Sequence, residues 1–156
     1  LSGAAFVAVS EPVAAKREEA AKLGADLCLD PSAMPAEEFE EKCRGYNFNC
    51  VIECCGLVKT IEQAVRAAGY KATVMMFGLT KPDDAISLKP YDVFSKELTL
   101  RSSYINPYTQ ARALALIESG RVEVTGMVCP PIPLEKLFEV LSDEKMRAKG
   151  KFVVQL

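Results

Sequence analysis

The chain has 156 residues, of which 49% are hydrophobic and 26% are charged, and this balance excludes a disordered polypeptide and indicates a globular core. Its net charge of −2, with basic residues scattered among acidic ones, excludes a broad nucleic-acid-binding surface. No apolar run approaches the roughly 20 residues of a transmembrane helix, so we expect a cytoplasmic protein that has no membrane partner.

Short apolar runs alternate with helical patterns along the chain. The predicted strands are 4–10, 26–30, 50–55, 72–78, 97–105 and 151–156. The predicted helices start at Pro12, Pro35, Val58, Pro107 (with Asn106 as its cap) and Pro133, and residues 86–96 are expected to be irregular. Because strands that alternate with helices form parallel sheets, this order predicts a single α/β domain over residues 1–156 with helices on both faces of its sheet.

Six cysteines and no histidine limit the metal and redox chemistry of the chain. The cysteines are Cys28, Cys43, Cys50, Cys54, Cys55 and Cys129. Their apolar surroundings predict reduced, buried thiols. Cys54 and Cys55 are unsuited to share a zinc ion, because adjacent strand residues point to opposite faces and structural zinc ligands are spaced about two to four residues apart. We expect Cys54 to pack in the sheet and Cys55 to lie at the strand end.

The carboxyl ends of the predicted strands are where an open parallel sheet binds its ligand. Glu11 follows the first strand, where an acid can accept the ribose hydroxyls of a dinucleotide or simply stabilise the helix N-terminus beside Pro12. Gly56 and Gly78 follow two further strands and permit either the close approach of a ligand or a tight turn. The glycine fingerprint G-x-G-x-x-G, expected well before the acid, is absent from the ten residues that precede Glu11.

Four segments in order carry a resemblance to a known family: "VAVSEPVAAKREEAAKLGAD", "VIECCG", "KELTLRSSYINPYTQARALALIESG" and "PIPLEKLFEVL". Residues 2–156 closely resemble the cofactor domain of the medium-chain, zinc-dependent alcohol dehydrogenases, in particular the sorbitol (polyol) and threonine dehydrogenase branch. The resemblance implies a Rossmann-like doubly wound parallel sheet, NAD as cofactor, hydride transfer from a small alcohol or polyol, and a homo-oligomer.

The resemblance also implies roles for individual positions. Glu11 matches the ribose-binding acid, which implies NAD rather than NADP, and Lys16 matches a basic residue that flanks the adenosine. The other implied cofactor-binding residues are Cys55 and Gly56 on the adenosine side, Phe77, Gly78 and Leu79 near the nicotinamide, Ser103 and Tyr104 near the carboxamide, and Lys151 near the pyrophosphate. No catalytic residue and no metal ligand is expected in this chain.

Two departures from the family pattern qualify these implications. The chain has no histidine, so we expect the catalytic zinc of the parent enzyme to be bound by a separate domain outside this chain. The first strand and its Gly-rich turn are missing, and the chain starts at Leu1 without a methionine, so we expect a fragment. Strands 4–10 and 50–55 would then lack their shared neighbour, and we predict open, association-prone edges and weak or no binding of NAD by the fragment alone.

Two other functions remain open from the sequence. The strand at 97–105 could continue a sheet across a two-fold axis, which would make the chain a non-catalytic oligomerisation module. The α/β order would also suit another nucleotide-binding Rossmann protein, such as a SAM-dependent methyltransferase.

Overall fold

Parallel strand pairing organises the backbone of the computed structural model, which describes residues 3–105 and 108–156. The strands are β1 Ala8–Ser10, β2 Leu27–Leu29, β3 Cys50–Glu53, β4 Thr73–Met76, β5 Thr99–Ser102, β6 Ile132–Pro133 and β7 Val154–Gln155. The helices are α1 Ala14–Lys22, α2 Ala36–Arg44, α3 Val58–Ala67, α4 Pro90–Lys96, α5 Gln110–Glu118, α6 Leu137–Ser142 and α7 Glu144–Arg147, with 3-10 turns at Thr125–Met127 and Leu134–Lys136. The chain divides into two compact units, Leu1–Ile105 and Asn106–Leu156.

The first unit contains two separate parallel sheets. β1 pairs with β2, and β3, β4 and β5 form a three-stranded sheet in that order. Within the described ranges, β1 and β3 each have a strand partner on one edge only. This agrees with the expectation that the two strands lack a common neighbour, and the α/β class with parallel sheets is confirmed.

The main core of the first unit lies between α3 and the three-stranded sheet. Val51, Val74 and Leu100 are in register on adjacent strands and pack towards α3. Ala64 and Val65 recur on one stripe of α3 and are buried against them, as the helical period requires. Because side chains alternate along a strand, Thr99 and Arg101 of β5 lie on the opposite face of this sheet, where both are exposed.

A smaller core lies beneath α2 in the same unit. Phe39 and Cys43, one turn apart on α2, are buried with Leu29 of β2 and Ala67 of α3. Next to it, the rings of Phe6, Tyr46 and Phe48 stack on one another, and the Phe6 and Tyr46 centroids are 4.9 Å apart. Phe6 precedes β1 and Phe48 precedes β3, so these rings join the starts of the two sheets.

The second unit is smaller and contains a two-stranded parallel sheet, β6 with β7. A single bridge between Val128 and Lys151 extends this pairing. The carboxylate of Asp143 accepts the backbone N–H groups of Lys145 and Met146 and so caps α7. Val140 of α6 is buried, and it anchors that helix in the unit.

Several sequence-based boundaries need correction. Residues 86–96 are not wholly irregular, because α4 occupies Pro90–Lys96. This helix is too short to show a full apolar period. The Nζ of Lys96 stabilises it by donating to the backbone oxygens of Arg66 and Ala68. The first helix begins at Ala14 rather than Pro12, and α5 begins at Gln110. The predicted cap at Asn106 and Pro107 lies outside the described residues.

The thiols also differ from the prediction. All six cysteines are free, as expected, but only Cys43 is buried, whereas Cys50, Cys54 and Cys55 are exposed. Cys54 therefore does not pack in the sheet: it continues the alternation of Cys50 and the 60% exposed Ile52, on the face of β3 away from α3.

No helix in the described part of the chain combines the length and the apolar character that a membrane crossing requires. The cytoplasmic location and the single domain over residues 1–156 stay predictions.

Candidate functional site

The turn after β3 is built around the carboxylate of Glu53. Glu53 is only 4% exposed, and its Oε1 accepts the backbone N–H groups of Cys55 (2.7 Å) and Gly56 (2.9 Å) and the hydroxyl of Thr60 (2.7 Å). Thr60 lies in the first turn of α3, whose cap residue, Leu57, offers no side-chain hydrogen bond. The buried acid thus closes the turn that leads into α3 and ties it to the first turn of the helix through Thr60, at the helix end where the dipole favours negative charge.

The turn after β4 packs directly against the turn after β3. The backbone oxygen of Glu53 accepts the N–H groups of both Phe77 and Gly78 at 2.9 Å. A Cβ atom on Gly78 would lie 2.1 Å from the backbone nitrogen of Gly56, and one on Gly56 would lie 2.3 Å from the oxygen of Leu79. The sequence left open whether these glycines serve the approach of a ligand or a tight turn. The structure favours the tight turn, because the absence of a side chain on each glycine lets the backbone of the other turn lie against it.

The turn after β1 is fastened by a guanidinium group. Arg17 on α1 donates to the backbone oxygen of Glu11 (2.7 Å) and pairs with the carboxylate of Asp30 at the end of β2 (3.0 Å). Two hydrogen bonds from Ser32 and the charge of Arg17 lower the pKa of Asp30. Glu11 is half-buried, and its Oε1 accepts the N–H of Val13, the cap residue of α1, so the helix-stabilising contact considered for this acid is present.

Electrostatics link the ends of the two sheets. Partial burial raises the pKa of the Cys55 thiol; the charge of Glu53 and the neighbouring Cys54 raise it further. Glu11 adds to this rise and Lys16 opposes it, although both belong to the β1 side of the unit. Glu11 directly follows β1, Lys16 lies in the first turn of α1 and Cys55 follows β3, so the two charges and the thiol lie beyond the carboxyl ends of these strands.

The other predicted site residues fall into two groups. Phe77 and Leu79 follow β4 and are 49% and 90% exposed, and Ser103 and Tyr104 follow β5 at the adjacent strand end, where Tyr104 is 82% exposed. Lys151 belongs to the second unit, where its backbone bonds with Met127 and Cys129. Nine of the ten predicted residues thus belong to one unit: eight follow the carboxyl ends of its parallel strands, and Lys16 lies in the first turn of α1.

Metal binding has no support in the described residues. Residues 3–105 and 108–156 contain no group of three or more histidine, cysteine, aspartate or glutamate side chains placed to hold a metal ion. The expectation that zinc is bound outside this chain stays a prediction.

Sequence reasoning missed the residues that shape the site from within. Glu53 lies in the segment "VIECCG", but the predictions for this segment concerned the cysteines and the glycine that follow it. Glu53 stands two and three residues before the amide groups that its side chain accepts, and this local spacing is the signal in the sequence that points to its role.

Comparison with known proteins decides the family. Residues 1–119 match the family described as zinc-binding dehydrogenase. The chain belongs to the zinc-binding dehydrogenase family. Among curated members, sorbitol dehydrogenase of Ovis aries is 27% identical over 146 residues, which are 92% of this chain and 41% of that protein. The chain spans less than half the length of the curated relatives that it matches.

Solved structures of zinc-binding dehydrogenases share the fold. A zinc-binding dehydrogenase of Sinorhizobium meliloti 1021, bound to NADP, superposes with a TM-score of 0.90 and 30% identity, over 99% of this chain and 46% of that one. The 2R,3R-butanediol dehydrogenase of Bacillus subtilis superposes with a TM-score of 0.81 at 22% identity, over 99% of this chain and 45% of that one. These likenesses confirm the Rossmann-like dehydrogenase architecture of the chain.

Proposed function

We propose that this zinc-binding dehydrogenase chain binds the adenosine half of NAD at the carboxyl ends of β1 and β3. The observation that carries the proposal is the placement of Glu11 after β1 and of Cys55 and Gly56 after β3, two strands whose starts are joined by the stacked rings of Phe6 and Phe48. The effects of Glu11 and Lys16 on the pKa of the Cys55 thiol accord with this placement. β1 and β3 start the two separate sheets of the unit, and dinucleotides bind where neighbouring strands of an open sheet diverge in this way. The bound nicotinamide would accept the hydride, and this chain would orient it.

The preference for NAD over NADP rests on the charges around Glu11. A carboxylate at this place accepts ribose hydroxyls and repels a 2′-phosphate. Arg17 is the nearby cation that could attract such a phosphate, but both of its described contacts, the Glu11 carbonyl and the Asp30 carboxylate, hold it within the protein. The NADP in the Sinorhizobium relative makes this preference the point most in need of a test.

For the parent enzyme we propose an NAD-dependent oxidation of an alcohol or polyol, with zinc supplied outside this chain. Relatives named for sorbitol and butanediol support that substrate class. Membership of the zinc-binding dehydrogenase family argues against the methyltransferase alternative.

The test is an NMR titration of the ¹⁵N-labelled chain with NAD⁺ and with NADP⁺ at up to millimolar concentration. We expect weak binding that shifts the amide signals of Glu11, Cys55 and Gly56, and a smaller response to NADP⁺. Glu11→Ala should weaken NAD⁺ binding and reduce the difference between the cofactors, whereas Glu41→Ala, at a solvent-exposed acid on α2, should change neither. Absence of shifts at these amides would contradict the site, equal responses to the two cofactors would contradict the preference, and micromolar affinity would contradict the expected weakness.

A second role as an oligomerisation module is favoured by one observation. β5 has a strand partner on one edge only among the described residues, so its other edge can continue the sheet in a second copy. Sedimentation velocity over a concentration series tests this, and a monomer at all concentrations would contradict self-association of the chain.

A further inference from the structure

Glu53 is the one polar or charged residue that is buried in the described part of the chain. Burying a carboxylate is costly unless hydrogen bonds replace its lost water. Three donors do so, from Cys55, Gly56 and Thr60, and no buried side-chain oxygen or nitrogen in the described residues lacks a partner. Such a satisfied network fixes geometry, because each donor has one favourable position.

The same residue also holds the second turn. Its backbone oxygen accepts both N–H groups at the end of β4, those of Phe77 and Gly78. One residue therefore contacts the β3 turn through its side chain and the β4 turn through its main chain. Since Gly56 and Gly78 leave no space between the two turns, a shift of one displaces the other.

We propose that Glu53 is a positioning residue that sets the relative placement of the turns after β3 and β4, and so the shape of the cofactor site. The inference rests on the proposed function in naming the ligand, a nicotinamide dinucleotide. Glu53 itself faces the protein interior and does not contact the cofactor. It acts through the exposed neighbours that it holds, Cys55 on one turn and Phe77 and Leu79 on the other.

The chemistry of Thr60 provides a specific signature. Its hydroxyl lies 2.7 Å from the Glu53 carboxylate and 2.9 Å from the backbone oxygen of Leu57. In Glu53→Gln the side-chain carbonyl oxygen can take the place of Oε1 and accept the N–H groups of Cys55 and Gly56 and the hydroxyl of Thr60. Thr60→Val removes only the hydroxyl and leaves both backbone N–H groups with their acceptor, so it separates the loss of the Thr60 contact from the loss of the carboxylate.

The experiment is residue-resolved hydrogen exchange on the 156-residue chain without cofactor, followed by NAD⁺ titration of the same samples. Glu53→Ala should accelerate exchange at Cys55 and Gly56, and also at Phe77 and Gly78, by about tenfold or more, while the core amide of Val74 changes little. Glu53→Gln, which keeps an acceptor for these groups, should retain slow exchange at all four amides, and Thr60→Val should change exchange less than Glu53→Ala does. Glu41→Ala, at an exposed acid, serves as the control.

The outcomes separate this inference from the proposed function. Fast exchange confined to Cys55 and Gly56 would overturn the positioning role, because the second turn would then be independent of Glu53. Equal acceleration at Val74 would also overturn it, since Glu53 would then be a general stabilising residue. If the four amides respond as expected and the unaltered chain shows no NAD⁺ binding, the proposed function fails and the coupling of the turns stands.

Discussion

Glu53 and Glu11 both stand at the carboxyl end of a parallel strand, yet the two halves of the first unit use them differently. Glu53, in the three-stranded half, is 4% exposed and its carboxylate faces donors from its own turn. Glu11, in the two-stranded half, is half-buried, and its described side-chain contact is with the N–H of Val13. The two acids look alike in sequence but differ in burial: Glu53 is enclosed and holds a turn, whereas Glu11 is partly exposed to solvent and to a ligand.

The difference teaches how each half keeps its shape. The three-stranded half relies on a buried network and on backbone contact between glycines. The turn after β1 in the two-stranded half is instead held by partly exposed charges, chiefly the pair between Arg17 and Asp30. Buried networks are costly to break, whereas exposed ion pairs contribute little and respond to pH and salt.

Replacement of each glutamate by alanine should give the largest contrast. Glu53→Ala leaves the partly buried N–H of Cys55 and the buried N–H of Gly56 without their acceptor, and we expect it to lower the free energy of unfolding by about 2 to 4 kcal/mol. Glu11→Ala removes a contact near the surface and should cost less than about 1 kcal/mol. Urea denaturation measures both, and equal losses would contradict the division between the two acids.

Gly78→Ala should produce the next largest effect. The new methyl group would lie 2.1 Å from the backbone nitrogen of Gly56, and because that neighbour is main chain rather than a flexible side chain, we expect a loss of about 1 to 3 kcal/mol. Gly45→Ala is the matched control, since its methyl group would meet the oxygen of Lys42 at 3.7 Å in a right-handed helical conformation. That variant should be neutral or slightly stabilising. A harmless Gly78→Ala would show that the two turns are not in backbone contact.

The sequence predicted the fold better than the site. The alternation of apolar strands and helices predicted the α/β class, and the missing neighbour of strands 4–10 and 50–55 anticipated the division into two sheets. Both follow from local periodicity and strand order. The role of Glu53 could not be predicted in this way, because whether an acid turns inward depends on donors that only the folded turn brings together.

The prediction that Cys54 packs in the sheet was wrong for a related reason. Alternation places Cys54 on one face of β3, but it does not say whether a helix covers that face. The core of this sheet forms on the α3 side, and Cys54 lies on the other. The seven-residue helix α4 was not predicted from the sequence, because its stability comes from the contacts of Lys96 with distant backbone oxygens rather than from an apolar period.

Acidification should weaken the two-stranded half through Asp30. Its hydrogen bonds from Ser32, and then the charge of Arg17, hold its pKa below the ordinary value, so the folded state favours the carboxylate. The stabilisation is present above the ordinary pKa and is lost as pH falls through the folded value. Ser32→Ala should therefore reduce the loss of stability between pH 6 and pH 3 in urea titrations. Ser95→Ala, at an exposed serine of α4, should leave the acid sensitivity unchanged, and an unchanged sensitivity in Ser32→Ala would contradict the assignment.

The smallest effect should be the most informative about where the two halves meet. Glu11 raises and Lys16 lowers the pKa of the Cys55 thiol, so their removal should act in opposite directions. Because the thiolate is the reactive form, Glu11→Gln should speed alkylation of Cys55 by iodoacetamide and Lys16→Gln should slow it, each by about twofold near pH 8. Peptide mass spectrometry in a Cys54→Ser background measures the rate.

Glu41→Gln provides the control for that measurement, since the charge of Glu41 does not act on the Cys55 thiol. Changes of the same sign in Glu11→Gln and Lys16→Gln would point to altered access to the thiol rather than altered charge. No change in either would contradict the proposed adenosine site, because it would place the end of β1 away from the end of β3. Opposite changes would instead support a single site formed by the ends of both sheets. Glu53 would then hold the turn on the β3 side of that site, and the partly exposed carboxylate of Glu11 would act on the β1 side.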